Sequence, residues 1–291
     1  MELIFLIIFV QIFFESFPVS SSGHVELVKK IFAKSSNSIP NFFDHFLHGP
    51  TLFILMILFF KEWFYPCKKL IKGIFNKKFS QKDSYKSLLK IFFKICSYLL
   101  ITTLFALFGW FFVQTKLNKI DLFAANISLL IGFFITMTFL FSLLLQKYLY
   151  KHFYKYQRVF FKIHKGLTIE KVVIIALVQM LALVPGISRF AVVYCTSRLL
   201  KVPSRRAFQF TFLIQIPLIV PAFFLGFIKL ISFQNFEKYF NFSVFVTILI
   251  STFFAYFGLL WMQKLSQKNK IGFLGFYLFV PIGILVWLIL A

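Results

Sequence analysis

Carboxylates are the scarcest functional groups in this chain. Only nine of 291 residues are acidic, and all charged residues together make up 14%, against about 25% in ordinary soluble domains. So little charge excludes a water-exposed globular surface. Three cysteines, Cys67, Cys96 and Cys195, are odd in number and scattered. They offer neither a disulfide framework nor a metal-binding spacing. Met1 to Phe14 carries no basic stretch and no small-residue cleavage site follows, so no cleavable leader is expected. The 32 basic residues give a net charge of +23. They lie between apolar stretches rather than on one face, which argues against a nucleic-acid partner.

What is abundant is apolar sequence. Hydrophobic residues reach 60%, with 47 phenylalanines, and mean hydropathy is +0.86. Crossing a core of about 30 Å takes about 20 helical residues. Six stretches meet that length as full spans: 43–60, 91–114, 122–145, 207–232, 241–262 and 271–291. Two more apolar regions, 2–32 and 172–200, break at Pro18 to His24 and at Pro185 to Arg189. The 12 or 13 residues before each break reach roughly 18–20 Å, to mid-membrane but not across. Both regions read as re-entrant helix pairs. Non-helical backbone at that depth is tolerated only inside protein or beside a wet cavity.

Lysine and arginine set the expected orientation. Segments 61–94, 147–171, 198–206 and 264–270 carry ten, seven, four and three of them, while 29–34, 116–119 and 229–238 share seven. The rich set belongs in the cytoplasm, which puts both termini on the outer side. The first re-entrant pair then enters from outside and the second from inside. The expected fold is an all-α integral membrane protein forming one domain, with inverted repeats at approximately 1–150 and 165–291 and a site between them near the midplane. Phe17-Pro18-Val-Ser20-Ser21 echoes Val184-Pro185-Gly-Ile-Ser188, and Phe46-Leu47-His-Gly-Pro50 echoes Phe212-Leu213-Ile-Gln-Ile-Pro217.

The candidate chemistry sits at the two breaks. Glu15 is the most deeply embedded acid, and Gln11 lies one turn earlier on the same face. A deep carboxylate with an amide alongside suits a metal ligand or a general base; the plainer alternative is a Glu that ends a short helix. Ser20, Ser21, Ser22 and Gly23 form a small-residue turn that offers hydroxyls and N–H groups to an anion. His24 follows, and Ser beside His near a carboxylate is a nucleophile arrangement; the alternative is a Ser-capped helix start. Arg189, preceded by Ser188, suits bidentate phosphate binding, against an Arg that snorkels to the interface. His45 and His48 beside Asp44, at the outer mouth of span 43–60, allow a zinc site, but the spacing is not diagnostic and a surface or supporting role is the favoured reading. His152 and His164, among Lys and Tyr, read as solvated.

These same residues resemble a known family. Gln11-x-x-x-Glu15, Phe17-Pro-Val-Ser-Ser-Ser-Gly-His24 and Gln179-x-Leu-Ala-Leu-x-Pro185-Gly-Ile-Ser-Arg189 are similar to the two signature regions of bacterial undecaprenyl-diphosphate phosphatases of the bacitracin-resistance (BacA/UppP) type. Phe43-Asp44 and His48-Gly-Pro-Thr51 resemble a third stretch. The resemblance covers essentially the whole chain. It implies hydrolysis of a C55 polyprenyl diphosphate lipid to the monophosphate at the outer face of the bacterial plasma membrane. It further implies a divalent cation (Mg or Ca) on Gln11 and Glu15, and homodimers. By the same resemblance Ser21 is the nucleophile or its neighbour, His24 the essential His and Arg189 the essential Arg, with His24 as the alternative nucleophile. Ser20, Ser22, Gly23 and Ser188 then bind phosphate. Two departures stand out: Phe190-Ala191 replaces Ser-Gly after the Arg, and Gln209 stands where the family often has Glu.

Two rival readings follow from the same residues. A polyprenyl-phosphate flippase shares the inverted-repeat architecture but has no need of convergent Ser, His, Glu and Arg. A non-catalytic relative is the reading that Phe190-Ala191 favours.

Overall fold

The computed structural model describes residues 2–32, 40–76, 83–117, 122–149, 166–233 and 241–290. His152 and His164 lie outside them. Among the described residues the fold is all-helical. Among them five helical stretches are long and apolar enough to cross a bilayer, and the bent 42–75 stretch, taken as one, would make a sixth by length and composition.

The first apolar region is a broken pair, α1 (Glu2–Glu15) and α2 (Ser21–Ile31). On α1 the residues Ile4, Ile7, Ile8, Gln11 and Ile12 are buried, one continuous face at helical spacing. Pro18 ends the run, since it disfavours helix in the residue before it.

The span expected at 43–60 is interrupted. α3 (Asn41–Phe46) stops at Leu47, and α4 (His48–Leu58) begins at His48. Pro50 has no N–H, so the ladder bond back to Phe46 cannot form. α5 (Phe60–Phe75) then turns away, the two arms of the stretch meeting at 72°. Residues 61–75, expected as a connection, are therefore helical. α6 (Asp83–Leu117) and α7 (Leu122–Leu149) follow.

The second half opens with another broken pair, α8 (Ile169–Gln179), a 3-10 turn (Met180–Leu183) and α9 (Arg189–Leu199). Val184, before Pro185, is extended, as a residue before proline should be. α10 (Ser204–Leu213) and α11 (Ile216–Ile231) are separated at Ile214-Gln215. Pro217 is the cause here, as Pro50 is in the first half. α12 (Phe242–Gln267), a 3-10 segment (Ile271–Leu278) and α13 (Phe279–Leu290) complete the chain.

Packing crosses between the halves. α1 lies along α12 and α8 along α6, while α3 meets α11 and α7 meets the 271–278 segment. Ser16 Oγ donates to the Ala255 carbonyl at 2.9 Å, pinning the end of α1 to α12. Thr136 on α7 fixes the second break: its hydroxyl donates to the Gly186 carbonyl at 3.0 Å and accepts from the Ser188 N–H at 2.9 Å.

Candidate active site

The two breaks touch. A Cβ on Gly23 would stand 2.9 Å from the Gly186 Cα, so only glycine allows the turns this close. Gly186 also has φ +87°, a conformation that favours glycine. Ser20 reaches φ 67° without that freedom. Such a residue stores about 1–3 kcal/mol of strain and marks a place where the fold holds it for use.

Both turns start a helix in the same way. Ser20 Oγ accepts from the Gly23 N–H at 3.2 Å, and Ser188 Oγ accepts from the Ala191 N–H at 3.2 Å. Ser21 and Arg189 are consequently the first residues of α2 and α9. Two helix N-termini thus open onto one cavity of about 540 Å³, lined by Gln11, Glu15, Ser20, Ser21, Ser22, Ser188 and Arg189. Free N–H groups and the positive helix ends make such a place an anion site.

Glu15 is held from both sides. His48 Nδ1 donates to Oε1 at 2.7 Å, and the Thr51 hydroxyl donates to Oε2 at 2.9 Å. Arg189 lies within electrostatic reach of both Glu15 and His48. The expected residues Glu15, Ser21 and Arg189 therefore come together, although Arg189 belongs to the other half of the chain.

His24 does not join them. It is absent from the cavity lining. Its Nδ1 donates to the Ser20 carbonyl at 2.7 Å, and its Nε2 pairs with the Tyr277 hydroxyl at 3.1 Å. The ring stacks on Phe14 with centroids 4.3 Å apart, and Tyr277 lies beside both rings. His24 holds the strained Ser20 from behind. Gly23 likewise serves as the contact point between turns.

Two further cavity residues, His48 and Gln215, have partners or surroundings that the local sequence does not reveal. His48 opens α4 just before Pro50 and faces Glu15. Gln215 sits at the matching break before Pro217 and also lines the cavity, with its Nε2 buried and unpartnered. Gln11 is 2% exposed and its Oε1 lacks a partner. An orphan acceptor and an orphan donor are what a phosphate with a cation would satisfy. Asp44 pairs with Lys29 at 2.7 Å at the edge of the cavity.

Of the departures, Phe190 lines the cavity and is held there by packing. Phe190 packs edge-on against Phe208 and Phe212, with ring centroids 5.7 and 4.9 Å away. Gln209 is buried outside the cavity lining.

The model of the family described as bacitracin resistance protein BacA matches residues 4–285. The chain belongs to the BacA family. Curated relatives run the same length. A protein named undecaprenyl-diphosphatase from Christiangramia forsetii is 29% identical over 91% of this chain and 89% of its own. Proteins of the same name from Borrelia hermsii and Thermosipho africanus are 27% and 28% identical, covering 96% and 90% of both chains.

Proposed function

We propose that this BacA-family membrane protein is an undecaprenyl-diphosphate phosphatase, which hydrolyses the lipid diphosphate to the monophosphate and inorganic phosphate. The observation that carries the reading is the cavity where Glu15, Ser21 and Arg189 converge on two helix N-termini. The names of full-length relatives support the same activity.

Ser21 Oγ attacks the terminal phosphorus, and Glu15, aligned by His48 and Thr51, takes the hydroxyl proton. The bond from phosphorus to the bridging oxygen breaks and the lipid monophosphate leaves. Water then releases phosphate from Ser21. Arg189 holds two phosphate oxygens through its planar fork, and the α2 and α9 N–H groups with the Gln215 amide hold others. Phosphoryl transfer needs positioning and charge stabilisation above all. His24 acts behind this set as a positioning residue for Ser20 and Ser21.

Among the described residues no three His, Cys, Asp or Glu side chains converge on a metal position. The oxygens of Gln11 and Glu15 fit a hard cation that takes its remaining ligands from water and phosphate. Mg or Ca held there would neutralise charge on the diphosphate. The crossed packing of α1 on α12 and α8 on α6 supports an inverted repeat. The lysine asymmetry supports both termini, and the cavity mouth, on the outer side of the bacterial plasma membrane.

Paired half-helices are also transporter architecture, which favours a flippase as the second reading. Purified protein should release phosphate from undecaprenyl and farnesyl diphosphates, and release should fall with chelator. Lipid movement across vesicles without phosphate release would establish the flippase instead.

A further inference from the structure

α5 presents three faces at helical spacing. One packs on the protein: Trp63 lies against Phe59 at 5.3 Å between ring centroids, and the Tyr85 hydroxyl donates to the Leu70 carbonyl at 3.3 Å. Gly73 sits directly under the Tyr85 ring. A second face is apolar and bare, with Phe64, Ile71, Ile74 and Phe75 exposed by 49, 56, 72 and 85%. The third carries exposed Lys68, Lys69 and Lys72. The helix has one acid, Glu62, and it turns aside to Arg205 Nη2 at 3.8 Å.

The neighbouring helix extends the basic face. α6 has 35 residues, about 52 Å at 1.5 Å per residue, far more than a core of about 30 Å. Its first four turns match the excess of about 22 Å, and their lysines place them outside the hydrocarbon. They carry exposed Lys86, Lys90 and Lys94 in one stripe, next to the contact with α5.

We propose that α5, with the base of α6, is an in-plane anchor that binds the anionic headgroups of one leaflet. The Phe64, Ile71, Ile74 and Phe75 side chains enter the acyl boundary, and the lysines reach the phosphate-bearing headgroups. Sixteen residues cover only about 24 Å, and the lysines on one side oppose a crossing path. A symmetric contact with a second copy would set two lysine faces against each other. The inference rests on none of the catalytic assignments.

Cys67 is exposed at the edge of the apolar face, and Cys195 is buried. In full-length protein carrying Cys96→Ser, Cys67 is labelled with an environment-sensitive fluorophore. The protein is placed in nanodiscs of phosphatidylcholine with increasing phosphatidylglycerol. Expected are a blue shift that grows with the anionic fraction and reverses in high salt, and quenching by headgroup and shallow acyl nitroxides over deep ones. Each lysine near the surface contributes about fivefold in headgroup affinity. Lys68→Gln with Lys69→Gln and Lys72→Gln should therefore lower the headgroup affinity about 100-fold, the α6 lysines keeping the remainder, and leave phosphate release unchanged. Deep quenching would overturn the proposal in favour of a crossing helix. Absence of lipid quenching would overturn it in favour of a protein-covered face. An undiminished anionic response in the triple variant would remove the headgroup role.

Discussion

Replacing His48 with Ala tests whether Glu15 works as a held group. His48 supplies one of the two donors on the Glu15 carboxylate, at 2.7 Å, and Thr51 supplies the other at 2.9 Å. A hydrogen bond to a charged partner contributes about 1.5–3 kcal/mol. If the whole of it serves to hold Glu15 in its working position, its loss lowers kcat/KM about 10- to 150-fold. The assay is phosphate release in detergent, run as a double-mutant cycle with Glu15→Ala. A positioning residue has nothing to position once Glu15 is gone. His48→Ala should then cost less than about threefold in the Glu15→Ala background. Thr51→Val should behave in the same way with a smaller single effect. A full, additive loss from His48→Ala without Glu15 would refute the clamp and make His48 an independent participant.

Other perturbations address the frame around the site. Gly186→Ala adds a Cβ 2.6 Å from the Leu129 carbonyl oxygen at φ +87°; we expect a clear drop in thermal stability and activity together, measured by melting in detergent and by phosphate release. Phe190→Ser with Ala191→Gly restores the usual family pattern but removes a ring from the Phe208 and Phe212 cluster. The protein should stay active while its melting temperature falls, since Phe truncations in a core cost about 3–5 kcal/mol; loss of all phosphate release in a variant that still folds would show that Phe190 has a role in the site. With the native cysteines replaced, Asp83→Cys should resist an impermeant thiol reagent in intact cells and Ser232→Cys should react, because the lysine-rich side faces the cytoplasm; the reverse pattern would invert the orientation.

The breaks were legible because proline and polar clusters are rare in apolar sequence. Pro18 and Pro185 marked both turns, and Glu15, the serines and Arg189 marked the cavity between them. Their meeting across the two halves followed only from the expected inversion. What stayed hidden depends on long-range geometry. His48 lies 33 residues and Thr51 36 residues from Glu15, and a reading of His45 and His48 as surface or supporting residues does not say which carboxylate they would support. His24 looked like part of a Ser–His pair, yet its partner Tyr277 is 253 residues away. Gln215 reads as one amide in an apolar run until the Pro217 break aims it inward. α5 reads as a connection in the sequence because its lysines mask a helix whose apolar face repeats every third or fourth residue.

The central claim is that one site is built from both halves of the chain, and it is tested most directly by comparing Glu15→Ala with Arg189→Lys. Release of phosphate from undecaprenyl diphosphate is measured for both variants, alongside thermal melting. Arg189→Lys keeps the charge but loses the planar fork. We predict a loss of at least about 100-fold in Glu15→Ala and of most activity in Arg189→Lys, each with melting close to wild type. Near-normal turnover in either variant would contradict a shared site, and full activity in Arg189→Lys would reduce Arg189 to an interfacial charge.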